Sequence, residues 1–236
     1  MKVEIWSDVM CPFCYIGKRN FENALKKFED SEDIEIIWKS YQLDPDMPED
    51  KVKFSSSEYL SERKGLPINQ VQQMYERVHE MAKQAGLDYD LEGSKPANSF
   101  KSHRIMKAAA EKGLSNEAEE AFFKAHFTDA IDLNDEAELI KVGKSIGLSE
   151  EEVNQALSET KYEQAVKADI VEARQLGVQG VPFFVFNRKY AVSGAQPVDA
   201  FLQTIETAFN EWRDENPKSP FQVTQGNSCD IDGNCD

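Results

Sequence analysis

The chain has 236 residues, with 43 Asp and Glu against 27 Lys and Arg, and a formal net charge of −16. That balance excludes non-specific nucleic-acid binding, which needs a basic footprint to release counterions, and disfavours docking on anionic lipid. Hydrophobic residues at 40% and charged residues at 30% are those of a folded domain, and no apolar run approaches the roughly 20 residues of a membrane-spanning helix.

In chain order, residues 2–6 are short and β-rich, with no apolar signal core and small-residue cleavage site. The expectation is a cytoplasmic protein, where structural disulfides are uncommon and cysteines are reduced, catalytic or metal-binding. A helix is predicted from Pro12, which suits the first helical position because its missing N–H would be unpaired there. Its expected apolar face runs through Phe13, Ile16, Phe21, Ala24, Leu25 and Phe28. Residues 35–41, β-branched and aromatic, predict a second strand, parallel to the first through a right-handed crossover. Residues 58–64, 69–85, 100–112, 116–130, 135–146 and 150–176 are charged and amphipathic and predict a helical block. Gly65, Gly86, Gly113 and Gly147 read as its C-terminal stops, Asn98 or Ser99 as a cap, and Ser149 with Glu152 as a capping box.

β character returns at 180–186, a turn follows at Asn187-Arg188-Lys189, and 190–194 is the hairpin partner. The last predicted helix, 197–212, carries Phe201, Leu202, Ile205, Ala208, Phe209 and Trp212. From Pro217 the composition turns polar and reads as a mobile acidic tail. The expected organisation is an α/β domain built from 1–44 and 178–216, a helical domain at 45–177, and a tail at 217–236.

Two pairs hold all four thiols: Cys11 and Cys14, flanking Pro12 and Phe13, and Cys229 with Cys235. A Cys-x-x-Cys that opens a helix after a strand puts its first sulfur where unpaired N–H groups and the macrodipole favour negative charge. The thiolate is the attacking species, so Cys11 is the predicted nucleophile, and Cys14, one turn inside, resolves the mixed disulfide. Two plainer readings stand beside this one. Both cysteines only pack, or they are half of a zinc site, although Cys229 and Cys235 are spaced too widely for its usual second half. Val181-Pro182 leads an apolar strand. It is an ordinary strand-initiating proline, or a cis-proline that lets Val181 offer its N–H and C=O to a bound extended chain.

Residues 5–14 (Ile-Trp-Ser-Asp-Val-Met-Cys-Pro-Phe-Cys), 98–104 (Asn-Ser-Phe-Lys-Ser-His-Arg) and 177–184 (Gly-Val-Gln-Gly-Val-Pro-Phe-Phe) together resemble the DsbA family of dithiol oxidoreductases, and within it the cytoplasmic FrnE-type branch. The resemblance spans 1–213. It implies a thioredoxin fold, β-α-β … β-β-α, interrupted by a large all-helical insertion domain. It also implies Cys11 as attacking thiol, Cys14 as resolving thiol and Pro182 as the cis-proline facing them, with Val181, Pro12 and Phe13 against the substrate. Periplasmic DsbA enzymes carry His where this chain has Phe13. A phenyl ring offers the Cys11 thiolate no hydrogen bond or charge, so the expected couple is less oxidising, in about the −180 to −270 mV band of disulfide isomerase and thioredoxin. The same family group includes kappa-class glutathione transferases and hydroxychromene-carboxylate isomerases, which place Ser near the position of Cys11; two thiols here favour dithiol exchange.

His103 and Arg104 follow the predicted cap and either face the cleft, with His103 against substrate, or decorate a helix surface. His79 and His126 are expected on helix surfaces. Glu4 and Lys39 are expected either as exposed strand charges or as buried acid–base helpers for Cys14. The short loop from Cys229 to Cys235 can close as a disulfide, with Gly233-Asn234 helping its turn. It is either a second redox pair exchanging with Cys11 and Cys14 or an idle tail. Asp230 and Asp232 lack the bidentate Glu that would complete a calcium loop, and their charge slows these thiols as nucleophiles. The expected function is thiol–disulfide exchange on protein or small-molecule disulfides, in redox homeostasis or oxidative stress, with no bound cofactor or metal. Expected partners are disulfide- or thiol-bearing proteins and glutathione or another small thiol, with no nucleic acid and no membrane. The alternatives are a glutathione-dependent transferase or isomerase, and a redox-sensing module whose cysteines switch a binding surface.

Overall fold

The first strand, β1 (Lys2–Ser7), is buried along all but its first residue, and it lies inside the sheet. The computed structural model describes residues 1–50 and 52–217. β1 pairs in parallel with β2 (Glu35–Ser40), Lys2 opposite Glu35 and Ser7 opposite Ser40. Between them runs α1 (Pro12–Leu25), the crossover expected of a parallel pair. On its other edge β1 pairs antiparallel with β3 (Phe183–Phe186), which continues through a turn at Asn187 and Arg188, both at positive φ, into β4 (Tyr190–Ser193). The sheet order is β2-β1-β3-β4, and α9 (Val198–Glu215) packs against α1.

The helices α2 (Ser56–Lys64), α3 (Ile68–Gln84), α4 (Phe100–Glu111), α5 (Ser115–Phe127), α6 (Glu136–Ser145), α7 (Glu150–Ser158) and α8 (Thr160–Gln175) are inserted between β2 and β3. This is the interrupted β-α-β … β-β-α order that the resemblance implied. No helix among the described residues is long and apolar enough to cross a membrane.

One core lies between the sheet and the pair α1 and α9, where Phe21, Phe184 and Phe201 meet with ring centroids 4.6–5.7 Å apart. A second joins Tyr15 and Ile16 of α1 to Val71 and Tyr75 of α3 and Phe123 of α5. A third, around Ile105, Phe122, Leu139 and Val153, holds the helices to one another. α1 therefore has apolar contacts on both sides, which fixes its first turn between sheet and insertion.

Several boundaries differ from expectation. The predicted helix 150–176 is two, because Glu159 is extended (φ −77°, ψ 130°) and ends α7 before α8 begins. β3 starts at Phe183 rather than 180, so Pro182 stands just before the strand. α1 ends at Leu25, and Phe28 packs beyond it, edge-on to Phe209 at 4.9 Å. Phe13 is off the apolar face, at 38% exposure. The Ser149–Glu152 capping box is formed, and a second one, Ser55 with Glu58, opens α2 earlier than periodicity suggests. Ahead of α4 it is Asn98 Oδ1 that accepts from Phe100 N–H, at 2.9 Å, and the Ser99 side chain makes no capping bond.

Candidate active site

β1 ends at Ser7, and a tight turn at 8–10 delivers Cys11 to the N-cap of α1. The turn is held by Cys11 N–H donating to Asp8 O at 2.9 Å and Met10 N–H donating to Asp8 Oδ1 at 3.1 Å. Cys11 is extended (φ −99°, ψ 110°), its side chain makes no capping bond, and Pro12 takes the first helical position. The Cys11 sulfur thus lies at the helix N-terminus, where the partial positive charge of the first peptides is concentrated. Its Sγ donates to Val181 O at 3.4 Å.

Cys14 follows one turn later, with its N–H donating to Cys11 O at 2.9 Å. Both thiols are free, and Cys14 is the more enclosed, at 1% exposure against 4% for Cys11. Burial pushes the Cys14 thiol well above its ordinary range, and the facing Cys11 adds to this; the Asp8 backbone and the Ser7 side chain act in the opposite direction.

Pro182 is buried against α1, and the Val181–Pro182 peptide bond is cis. A Cβ on Gly17 would stand 2.8 Å from Pro182 Cγ and 3.5 Å from Phe184 Cζ, so the close approach of α1 to this loop requires glycine. Gly17→Ala is expected to destabilise the fold by about 1–3 kcal/mol through overpacking and to lower thiol exchange at Cys11. Urea unfolding with exchange rates on the same sample checks this; unchanged values in both would show that the loop yields freely. From the other side, Tyr89 O–H donates to Pro12 O at 2.8 Å, tying the insertion to the start of α1.

The Asp8 side chain is 1% exposed and also accepts from Leu43 N–H at 2.7 Å. His103 lies behind it, Nε2 3.7 Å from Asp8 Oδ1 and 2.9 Å from Tyr41 O. At 1% exposure His103 is not on a helix surface, and it braces the Asp8 and 41–43 turns from within. Arg104 donates to Ala156 O and Glu159 O, at 2.9 and 3.0 Å, where α7 gives way to α8.

His126 is also buried, contrary to expectation, because the inward side of α5 packs on the turns preceding α1; burial lowers its imidazole to about 4. His79 is partly exposed, 3.2 Å from Tyr89 O. Glu4 and Lys39 follow neither expectation. Glu4 is 7% exposed, bound by Arg188 and 3.9 Å from Lys39, and Lys39 reaches Glu172 at 3.0 Å and Asp169 at 3.4 Å. The groups that act on Cys14 are instead Ser7, Asp8 and Cys11.

One neighbour has no counterpart among the expected residues. Ser7 Oγ donates to Glu119 Oε2 at 3.4 Å, and Glu119 is a 3%-exposed carboxyl of α5 that burial raises to about 7. In sequence it is one of several acids on an amphipathic helix, with nothing local to mark it. Among the described residues no three His, Cys, Asp or Glu side chains converge as a metal site. Cys229 and Cys235 lie outside the described residues.

The chain matches a family model, that of the DSBA-like thioredoxin domain, over residues 2–206. A curated relative, the uncharacterized protein YwbO of Bacillus subtilis, is 24% identical over 211 residues, 86% of this chain and 94% of that one. A probable DsbA oxidoreductase from Streptomyces coelicolor has a TM-score of 0.85 at 35% identity, over 100% of this chain and 98% of that one. Cytosolic disulfide reductase DsbM from Pseudomonas aeruginosa, solved with GSH, shares the fold at TM-score 0.63 and 15% identity, over 89% of this chain and 100% of that one. A 2-hydroxychromene-2-carboxylate isomerase does so at TM-score 0.59 and 16% identity, over 93% and 100%.

Proposed function

The chain belongs to the family of DSBA-like thioredoxin domains, and from that premise we propose that Cys11 and Cys14 form an exchanging dithiol that acts on disulfides of proteins or of small thiols. The observation that carries this reading is the Cys11 sulfur at the opening of α1, 3.4 Å from the Val181 carbonyl, with Cys14 enclosed behind it. The Cys11 thiolate attacks one sulfur of the substrate disulfide, that S–S bond breaks, and the first substrate thiolate leaves. Cys14 then attacks Cys11 Sγ, closing the internal disulfide and releasing the second thiol. Two electrons pass from the dithiol to the substrate, and an external thiol restores the reduced pair.

An extended substrate segment would lie along Val181, beside Cys11, with exposed Phe13 and Pro12 as the apolar surface next to the sulfur. The glutathione in the DsbM structure supports a small thiol as one partner. Residues 5–14, 98–104 and 177–184 support the FrnE-type branch, a cytoplasmic location and a role in redox homeostasis. The domain limits 1–44 with 178–216 and 45–177 are part of the same reading.

Reduction of insulin by dithiothreitol tests it. The protein is expected to accelerate the reaction and the Cys11→Ser variant to give only the uncatalysed rate. A native protein without effect on insulin or on glutathione disulfide would remove the reading.

A further inference from the structure

The peptide group that joins Pro12 to Phe13 is the first one inside α1. Its N–H belongs to Phe13, at the second helical position, where a helix leaves the amide without an intrahelical partner. That N–H is one of the two that an anion at the N-cap meets, and Cys11 holds the N-cap. The other, Cys14 N–H, already donates to Cys11 O at 2.9 Å. At the far end of the same peptide group, Pro12 O accepts the hydroxyl of Tyr89 at 2.8 Å.

Tyr89 is held there firmly. It lies between α3 and α4 at 7% exposure, its ring stacked on Phe127 at 5.0 Å and on Tyr15 at 6.0 Å. The chain on either side is pinned to the end of α5. Thr128 Oγ1 donates to Asp88 O at 2.7 Å, and Asp90 N–H donates to Phe127 O at 2.6 Å. The Tyr15 hydroxyl is taken by Glu120 at 2.6 Å, so Tyr89 is the ring of this stack that reaches the turn between the cysteines. Burial holds the Tyr89 phenol protonated far above its ordinary range, which keeps it a donor.

We propose that Tyr89 is a positioning residue for the attacking thiol: its bond to Pro12 O polarises the Pro12–Phe13 peptide, and Phe13 N–H then holds the Cys11 thiolate more strongly. The proposal rests on the dithiol reading above. A peptide is a conjugated group, so a hydrogen bond accepted at its oxygen draws density from its nitrogen and sharpens the N–H as a donor. Bonds linked in this way strengthen one another by about 10–30%, and a bond to an ionised acceptor is the strong kind on which that fraction counts. The thiolate gains most, because a neutral thiol or disulfide sulfur is a weak acceptor. Phe13 has no side-chain donor for the sulfur, so the support comes through the backbone, reinforced from the insertion.

Tyr89→Phe removes the hydroxyl and keeps the ring stack. Iodoacetamide labelling of the reduced protein, located by fragment-ion mass spectrometry, reads the Cys11 thiolate. The ratio of its rate at about pH 6 to that at about pH 10, where an ordinary thiol ionises unaided, is expected to fall about threefold. Equilibrium with glutathione is expected to move about threefold toward the Cys11–Cys14 disulfide, because the reduced form loses the support. Thr128→Val, which loosens the same stretch and leaves the Tyr89 hydroxyl in place, is expected to keep the native ratio. An unchanged ratio or an unmoved equilibrium in Tyr89→Phe overturns the proposal. So does the same fall in Thr128→Val, or an equal slowing at both pH values, since either marks a structural anchor. If Tyr89→Phe does not fold, 3-fluorotyrosine in place of Tyr89 keeps the shape and strengthens the donor; a ratio that does not rise then overturns the proposal. A native protein that labels Cys11 no faster than Cys14 and leaves insulin unreduced would overturn the dithiol reading instead.

Discussion

Replacing Cys14 with serine is expected to convert the protein into a covalent trap for its substrates. Cys11 keeps its place at the N-cap of α1 and its contact with Val181 O, so attack on a disulfide proceeds. The reaction then stops at the mixed disulfide, because serine cannot displace a thiolate from sulfur at a useful rate. Steady-state insulin reduction should fall by roughly two orders of magnitude or more, the scale on which positioned acid–base and nucleophilic groups act. Intact mass should show a one-to-one adduct with substrate, released by dithiothreitol. Full turnover without an adduct would mean that an external thiol, and not Cys14, resolves the intermediate. The enclosure of Cys14 makes that outcome distinctive, since its thiol is pushed up by burial and has no role as a first attacker.

The second large effect is on stability. Asp169 of α8 is 6% exposed and gathers several groups at the junction of insertion and sheet. Its Oδ2 accepts from Ser40 N–H at 2.8 Å, Lys39 stands 3.4 Å from Oδ1, Lys107 pairs with Oδ2, and its backbone carbonyl accepts from Trp6 Nε1 at 3.0 Å. Asp169→Ala leaves the buried Ser40 N–H unpaired and two ammonium groups short of their shared counter-charge. Breaking a buried charge network from one side costs about 3–5 kcal/mol, far more than the loss of a surface pair. Urea unfolding should show a loss of that size, with a smaller one for Asp169→Asn, which keeps an acceptor for Ser40. A change below about 1 kcal/mol would show that water replaces the carboxylate, as it does at exposed ion pairs.

Much of the frame was readable because it depends on short stretches of chain. The helix opening at Pro12, the Ser149–Glu152 capping box and the glycine stops at Gly65, Gly86, Gly113 and Gly147 each rest on contacts within about one turn. The same rule would have found Ser55 with Glu58, had the start of α2 been judged by its cap rather than by its weak apolar periodicity. The break at Glu159 was hidden for the opposite reason. Nothing in 150–176 forbids one long helix, and the division is held by Arg104 from α4, which binds the carbonyls of Ala156 in the last turn of α7 and of Glu159 at the corner.

The reactive half of the site belonged to the first kind of information: two cysteines, a proline and a strand-to-helix turn lie within a few residues, and helix electrostatics apply to them directly. Its supporting half did not. Ser7 meets Glu119 across 112 positions and Glu4 meets Arg188 across 184. His103 and His126 carry the same polar character in sequence as a surface histidine, and Gly17 looks like any helical glycine until Pro182 stands against it. Local pattern sets where the backbone turns and which thiol comes first, because those follow from hydrogen bonds between near neighbours. Which carboxyl is buried, and among which neighbours, follows from how sheet and insertion pack, because desolvation acts on neighbours in space regardless of their distance along the chain.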